Sequence, residues 1–348
     1  MKNRQIINLD IVPRGLGFFD PVPGGVFLRT DIIEHPILKE LWESSLALFW
    51  TVKVVDFSND ANGFRTLPPV AQRIFKLNNG YQHLMDSGVA NLYFHLVNLT
   101  NSTEVALSYG QIGQMEQIHG SSYIEGLTEM FGPNTTKVID EVKNDHIVRH
   151  RLDSELDYSD QMLADPSTLN IFKTIGTAYL LEDIKFPFSF FTTLTLNKSY
   201  GNAINGFSQL ISRIAKDELE IHVPTNKYIL KRMMKHHNIP IEILIDMADI
   251  VLEQELEWVD YLLAEGNIPG LNHEIARSFL TYFHNKALRD LGADIPVIKP
   301  NDFVAWFHHA RDPDNKQVSQ QEASSTAYQR GTLKNDLREH FKAKRGKK

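Results

Sequence analysis

Residues 112–127 read Ile-Gly-Gln-Met-Glu-Gln-Ile-His-Gly-Ser-Ser-Tyr-Ile-Glu-Gly-Leu. On a helix, positions three and four apart are surface neighbours, so Ile112, Glu116, His119, Tyr123 and Leu127 share one stripe. A carboxylate, an imidazole and a phenol therefore interrupt an apolar face. Buried ionisable groups are costly unless compensated, and a metal ion is the usual compensation. The remaining sequence is then to be searched for further ligands of that metal.

Three more helical stripes carry acid in the same way. Downstream of Pro68-Pro69 a long helix aligns Phe75, Gln82, Asp86, Val89, Tyr93 and Leu96, and Thr103 is the expected N-cap of the helix that follows. From Pro166 another long helix presents Ile171, Ile175, Ala178, Glu182, Phe186 and Phe190. A further helix, starting near Asn205, carries Phe207, Ile211, Ile214, Glu218 and His222. Two helices giving one carboxylate each and two giving a carboxylate plus a histidine is the layout of a di-iron or di-manganese carboxylate bundle. Asp86, Glu116, Glu182 and Glu218 carry four negative charges, which two divalent cations neutralise. Uncompensated, such a cluster costs several kcal/mol per buried ion.

One pair departs from the motif. Glu218 and His222 are four apart where the motif has three, which turns the histidine by roughly 100° on a regular helix. A π-bulge would absorb the extra residue, and Pro224, unable to donate to the carbonyl of Glu220, favours one there. Glu220 is the competing ligand, although on a regular helix it would point elsewhere. Pro187 loosens the helix of Glu182 in the same manner.

The rest of the chain bounds the reading. A helix is expected from about Pro36 to Trp50, shorter helices over 134–165, and amphipathic segments over 239–265 and 271–291, with no strand-rich block and no internal repeat. The fold expectation is all-α, a ferritin-like bundle over 35–312, preceded by an extended Pro/Gly-rich arm over 1–34 and followed by a flexible tail over 313–348. That tail holds nine Lys/Arg against four Asp/Glu within a chain of net charge -7. The body is acidic, so nucleic-acid binding is not expected. The 348 residues include no cysteine, which excludes disulfides, zinc-thiolate sites, iron-sulfur clusters and a thiol nucleophile. No apolar run reaches membrane-spanning length and no signal-peptide core is present, so a cytoplasmic location is expected.

The chain resembles the small, radical-bearing subunit of class I ribonucleotide reductase from about Trp50 to Tyr328. The resemblance rests on Tyr81-Gln-x-Leu-x-Asp86-Ser87, on Tyr123 four residues after His119, and on Phe186 and Phe190 four and eight residues after Glu182. Ile214-Ala-Lys-Asp-Glu218, Asp260-Tyr-Leu and Gly270-Leu-Asn also match. It implies two iron ions, with manganese possible, held by Asp86, Glu116, His119, Glu182, Glu218 and His222. It implies dioxygen as oxidant, a radical on Tyr123, and a dry pocket of Phe186, Phe190 and Ile214. Transfer would run through Trp50, Asp217 and Tyr328, the last six residues after Glu322, to a large catalytic subunit, with the small subunit a homodimer. The plainer role for Tyr123 is a core tyrosine hydrogen-bonded to Asp86. The family's tail is usually acidic and aromatic-tipped, whereas this one is basic, leaving Phe341 or Leu337 as the docking anchor. Competing functions are a related di-metal oxidase or hydroxylase, which would not need Tyr123, Trp50 and Tyr328 together, and a non-enzymatic iron-binding bundle.

Overall fold

The computed structural model describes residues 7, 9, 17–20 and 25–312. Tyr328, Glu322, Leu337, Phe341 and the rest of the tail expected over 313–348 lie outside the described residues, as does most of the arm before residue 25. Among the described residues the structure is helical, without a named strand. None of its helices is long and apolar enough to cross a membrane.

Two long helices form the spine. α1 (Pro36–Ala47), α2 (Asp60–Thr66), α3 (Pro69–Leu99) and α4 (Thr103–Phe131) come first in the chain. α3 begins with proline at its first position, where a missing N–H costs nothing. It meets α4 across the short turn Thr100–Ser102, and the two pack along their lengths. Ser102, not Thr103, caps α4: it sits in extended backbone (φ -102°, ψ 129°) and its side chain accepts from the N–H of Val105. α1 ends at Ala47, three residues short of the expected end, so Trp50 stands in the connection rather than on the helix.

α5 (Thr135–Lys143) and α6 (His146–Ala164) follow, the latter longer than the short helix expected and capped by Asp145. α7 (Thr168–Leu180) and α8 (Phe186–Ser199) are joined by a π-turn at Leu181–Lys185. α9 (Asn205–Asp217) and α10 (Val223–His237) are joined by a second one at Glu218–His222. In each the bond spans five residues: the Phe186 N–H donates to the Leu181 carbonyl, and the Val223 N–H to the Glu218 carbonyl. Each is followed by a proline, Pro187 or Pro224, which has no N–H for the carbonyl four residues back. The expected bulge at 218–222 is therefore present, with its counterpart at Glu182, and the two π-turns pack on each other.

α11 (Glu242–Leu262), α12 (His273–Leu291) and α13 (Asp302–Ala310) complete the described chain. α12 brings Lys286 onto Asp183 of the first π-turn, at 2.9 and 3.0 Å to its two carboxylate oxygens. Lys185 of the same turn is buried and paired with Glu155 of α6. Beside it Arg151 pairs with Glu255 and lies between the rings of Tyr81 and Trp258, 3.8 and 4.3 Å from their centroids. Charged partners from α6 and α12 thus fix the turn that carries Glu182.

Candidate metal centre

Four segments deliver the six candidate ligands to one buried point: Asp86 from α3, Glu116 and His119 from α4, Glu182 from the first π-turn, and Glu218 and His222 from the second. Asp86 is 1% exposed and the other five are fully buried. Their donor atoms fall into two groups that share Glu116. One is Asp86, Glu116 and His119; the other is Glu116, Glu182, Glu218 and His222. His119 Nδ1 lies 3.5 Å from Glu116 Oε2 and 3.3 Å from Glu218 Oε1. His222 Nδ1 lies 3.2 Å from Glu116 Oε1, 3.6 Å from Glu182 Oε1 and 3.0 Å from Glu218 Oε2. Glu116 and Glu218 each turn one oxygen to one imidazole and the second oxygen to the other.

These atoms are close but not hydrogen-bonded. Both oxygens of Asp86, Glu116 and Glu218, and Nδ1 of both histidines, have no hydrogen-bond partner. Buried polar groups are ordinarily satisfied, so such a cluster of orphans is the signature of atoms that converge on cations. Six oxygen and nitrogen donors around two positions suit iron or manganese. Glu220, the competing ligand, is side-chain exposed by 46% and lies 3.7 Å from Arg311, away from the cluster.

The electrostatics agree. Burial, reinforced by Glu116, pushes the Asp86 carboxyl well above its ordinary range. Burial also raises Glu182, to about 7. Burial would lower both imidazoles, but the hydrogen bond to Asp217 and the nearby cluster carboxylates raise His119, and Glu218, Glu116 and Glu182 raise His222. Without cations the site holds protons, and metal ions must displace them.

A second layer orients the ligands. His119 Nε2 faces Asp217 Oδ2 at 3.0 Å, and Trp50 Nε1 donates to that same oxygen at 2.6 Å. A proton on Nε2 leaves the Nδ1 lone pair turned to the cluster, the tautomer a metal ligand needs. The Trp50 and His119 rings stack at 5.9 Å, and Trp50 is buried, so this line runs outward from the cluster within the core. Tyr93 donates to Glu182 Oε1 at 2.7 Å, and Asn226 donates to Glu182 Oε2 at 3.0 Å and to the Tyr93 hydroxyl at 2.7 Å. Tyr109 donates to Asn226 Oδ1 at 3.1 Å. The sequence reading missed this network as a functional feature. Its signal was Tyr93 on the Asp86 stripe and Asn226 four residues past His222.

Tyr123 is fully buried one turn beyond His119. Its hydroxyl has no hydrogen-bond partner, so the expected bond to Asp86 is absent: Asp86 is gathered with Glu116 and His119 instead. Phe186, Phe190 and Ile214 are fully buried in the same core as Tyr123.

A helical bundle that brings four carboxylates and two imidazoles to one dry point fits the class of dinuclear metal-carboxylate proteins. A family model described as ribonucleotide reductase, small chain, matches residues 30–296. Curated relatives include a ribonucleoside-diphosphate reductase subunit beta of Enterobacteria phage T4, 26% identical over 357 residues and covering 89% of this chain and 90% of that one. Another is ribonucleoside-diphosphate reductase 1 subunit beta of Escherichia coli O157:H7, 24% identical over 353 residues with the same coverage. Among solved structures, the ribonucleotide reductase R2 subunit from Clostridium botulinum aligns with TM-score 0.80 at 20% identity, covering 90% of this chain and 99% of that one. The dimanganese(II)-NrdF of Streptococcus sanguinis aligns with TM-score 0.64 at 21% identity, covering 81% and 98%. This chain belongs to the small-chain family of ribonucleotide reductase. It is the small subunit of that enzyme and works with a large subunit, and the oxidase and iron-binding readings are not favoured.

Proposed function

We propose that this subunit makes and exports the radical on which nucleotide reduction depends, with Tyr123 as its seat and two iron ions as its metals. Manganese is the alternative, since a structural neighbour is a dimanganese protein. When bound, the metal pair supplies dioxygen activation. Asp86, Glu116, His119, Glu182, Glu218 and His222 hold the pair, Glu116 being the ligand common to both donor groups. Tyr123 gives up one electron and its phenolic proton, and both are taken up in the reduction of dioxygen, the ultimate oxidant, towards water. Its hydroxyl has no hydrogen-bond partner, so no protein acceptor competes for the proton. Phe186, Phe190 and Ile214 keep water from the resulting phenoxyl.

Export follows Trp50 and Asp217 towards the surface, and Tyr328 in the tail takes the final step. The observation that carries this reading is the Trp50–Asp217–His119 chain. A storage bundle has no use for a tryptophan hydrogen-bonded to the carboxylate that orients a ligand histidine. Because the chain has no cysteine, the thiol chemistry belongs to the large subunit, acting on ribonucleoside diphosphates as the curated relatives' names state. The protein is proposed to be cytoplasmic and homodimeric, with an arm over 1–34, a bundle over 35–312 and a docking tail over 313–348.

Ferrous iron and oxygen added to the apoprotein should give a tyrosyl resonance signal that Tyr123→Phe abolishes. Persistence of that signal in the variant would remove Tyr123 from the role.

A further inference from the structure

Away from the dinuclear centre, a second set of metal-ligating side chains converges near the surface. His236 and His237 are the last two residues of α10. Their Nε2 atoms lie 3.9 and 3.7 Å from one oxygen of Asp20, Oδ1. The three donor atoms all fall within 4.8 Å of one another. Successive helix positions diverge by about 100°, yet both imidazoles reach the same carboxylate oxygen.

Asp20 is held ready for this arrangement. The Gly17 N–H donates to Asp20 Oδ2 at 2.7 Å, leaving Oδ1 to face the rings. The loop itself is tied to the α3–α4 turn. The Phe18 carbonyl accepts from the Asn101 N–H at 3.0 Å and the Thr100 hydroxyl at 2.8 Å, and Asn101 Nδ2 donates to the Asp20 carbonyl at 3.0 Å. A cleft of about 20 Å³, lined by Gly17, His35, Arg232, His236 and His237 among others, leaves room for one water-sized species. A Cβ at Gly17 would stand 2.7 Å from Asp20 Oδ1, 2.9 Å from His236 Cδ2 and 2.9 Å from His237 Nε2. The glycine keeps the space between the three side chains open.

A plain ion pair accounts for this poorly. Separations of 3.7 and 3.9 Å exceed hydrogen-bond length, and His237 Nε2 is a buried nitrogen with no hydrogen-bond partner. Burial, aided by His236, also holds His237 below the ordinary imidazole range, which favours the neutral form that binds metal. Tetrahedral donors about 2.0–2.2 Å from zinc stand roughly 3.3–3.6 Å apart, so the two histidine–carboxylate separations lie within a few tenths of an ångström of that spacing.

We propose that Asp20, His236 and His237 form a separate mononuclear site for a zinc-type divalent cation, which clips the loop at 17–20 to the end of α10. Two imidazoles and one carboxylate select zinc, nickel or copper over magnesium, calcium or manganese. The site is independent of the dinuclear centre, because fifteen residues of helix, about 22 Å, separate His237 from His222.

The test uses the full chain with its dinuclear centre already filled with manganese, equilibrated with zinc, desalted and assayed for both metals. Wild type should retain one zinc per chain with its manganese unchanged. The double variant His236→Ala/His237→Ala should retain none. Gly17→Ala keeps all three ligands but fills the space between them, and should bind zinc about 10–100-fold more weakly. Unchanged manganese content in the variants shows that they fold. Copper(II) in place of zinc should give a resonance spectrum with nitrogen hyperfine structure that the double variant lacks. Zinc gained only in exchange for manganese, zinc retained by the double variant, or a copper spectrum without nitrogen coupling would each overturn the site.

Discussion

Replacing Tyr93 by phenylalanine removes one oxygen atom and leaves the ring, and the structure indicates what that oxygen does. Its hydroxyl donates to Glu182 Oε1 at 2.7 Å, while Asn226 occupies Oε2 at 3.0 Å. With the metal absent, burial holds Glu182 near pKa 7, so at neutral pH it carries a proton about half the time. A bound metal requires it fully ionised. The Tyr93 bond therefore changes on loading from about half charge-assisted to fully so. Neutral hydrogen bonds contribute about 0.5–1.5 kcal/mol and those to charged groups about 1.5–3, so loading gains roughly half the difference, about 0.5–0.75 kcal/mol, from this one contact. At about 1.4 kcal/mol per decade, Tyr93→Phe should weaken metal binding about 2- to 3-fold. If the carboxylate also loses its orientation, the loss extends towards the roughly 100-fold typical of outer-shell ligands. Competition with a chelating dye, using ferrous iron under anaerobic conditions, reads the affinity directly. Asn226→Ala should give a similar loss, and the double variant less than the product, because both groups hold one carboxylate. Tyr109→Phe, whose hydroxyl reaches only Asn226, should cost less. Unchanged or tighter binding in Tyr93→Phe would show that the bond instead holds Glu182 in its metal-free position.

Other outcomes follow from the same geometry. Metal affinity should fall as pH drops through about 7, by roughly tenfold per pH unit for each proton displaced, because Asp86 and Glu182 both have raised pKa values. Titration calorimetry in buffers of different ionisation enthalpy counts those protons, and none released would refute the protonated apo cluster. Lys185→Met should cost about 3–5 kcal/mol of stability by stranding Glu155 as an unpaired buried charge, read as an earlier unfolding midpoint in denaturant; an unshifted midpoint would mean that Glu155 finds another partner. Gly126→Ala should cost about 1–3 kcal/mol, because its Cβ would stand 2.8 Å from Phe57 Cε1 and 2.9 Å from Phe207 Cζ, with thermal denaturation as the check. Trp50→Phe should keep the Tyr123 radical yet lose turnover with the large subunit, and normal turnover would exclude Trp50 from the relay.

The fold was readable in the sequence because four acid-interrupted stripes require a shared interior, and no arrangement of isolated helices satisfies them. What stayed hidden has physical causes. Ser102 and Thr103 are both common cap residues, and the extended backbone at Ser102 decides between them. Trp50 follows an apolar helical run, but α1 stops at Ala47, which frees the indole to reach Asp217. The stripe containing Tyr93 shows that a phenol faces inward, not which carboxylate receives its proton. The π-turn at 218–222 was visible because its two ligands sit at the wrong spacing. The one at 181–185 carries a single ligand, so no spacing betrays it and Pro187 is its only trace.

The two prolines also explain why distorted helix is tolerated where the metal centre needs the most precision. A regular helix at 218–222 would point Glu218 and His222 in diverging directions, and a helix free to choose would close the normal ladder. Pro224 removes the donor that the Glu220 carbonyl would need for that ladder, and Pro187 does the same for Asp183, so in both places the regular state has already lost a bond. The carbonyl of Leu181 or Glu218 then accepts from five residues on. At the first turn, Lys286 pairs with Asp183 and Glu155 with Lys185, one and three residues past Glu182, so protein contacts help to fix the turn that presents its side chain. Protein contacts thus fix the backbone that carries the cluster, and metal ions entering it must displace the protons that burial favours on Asp86 and Glu182.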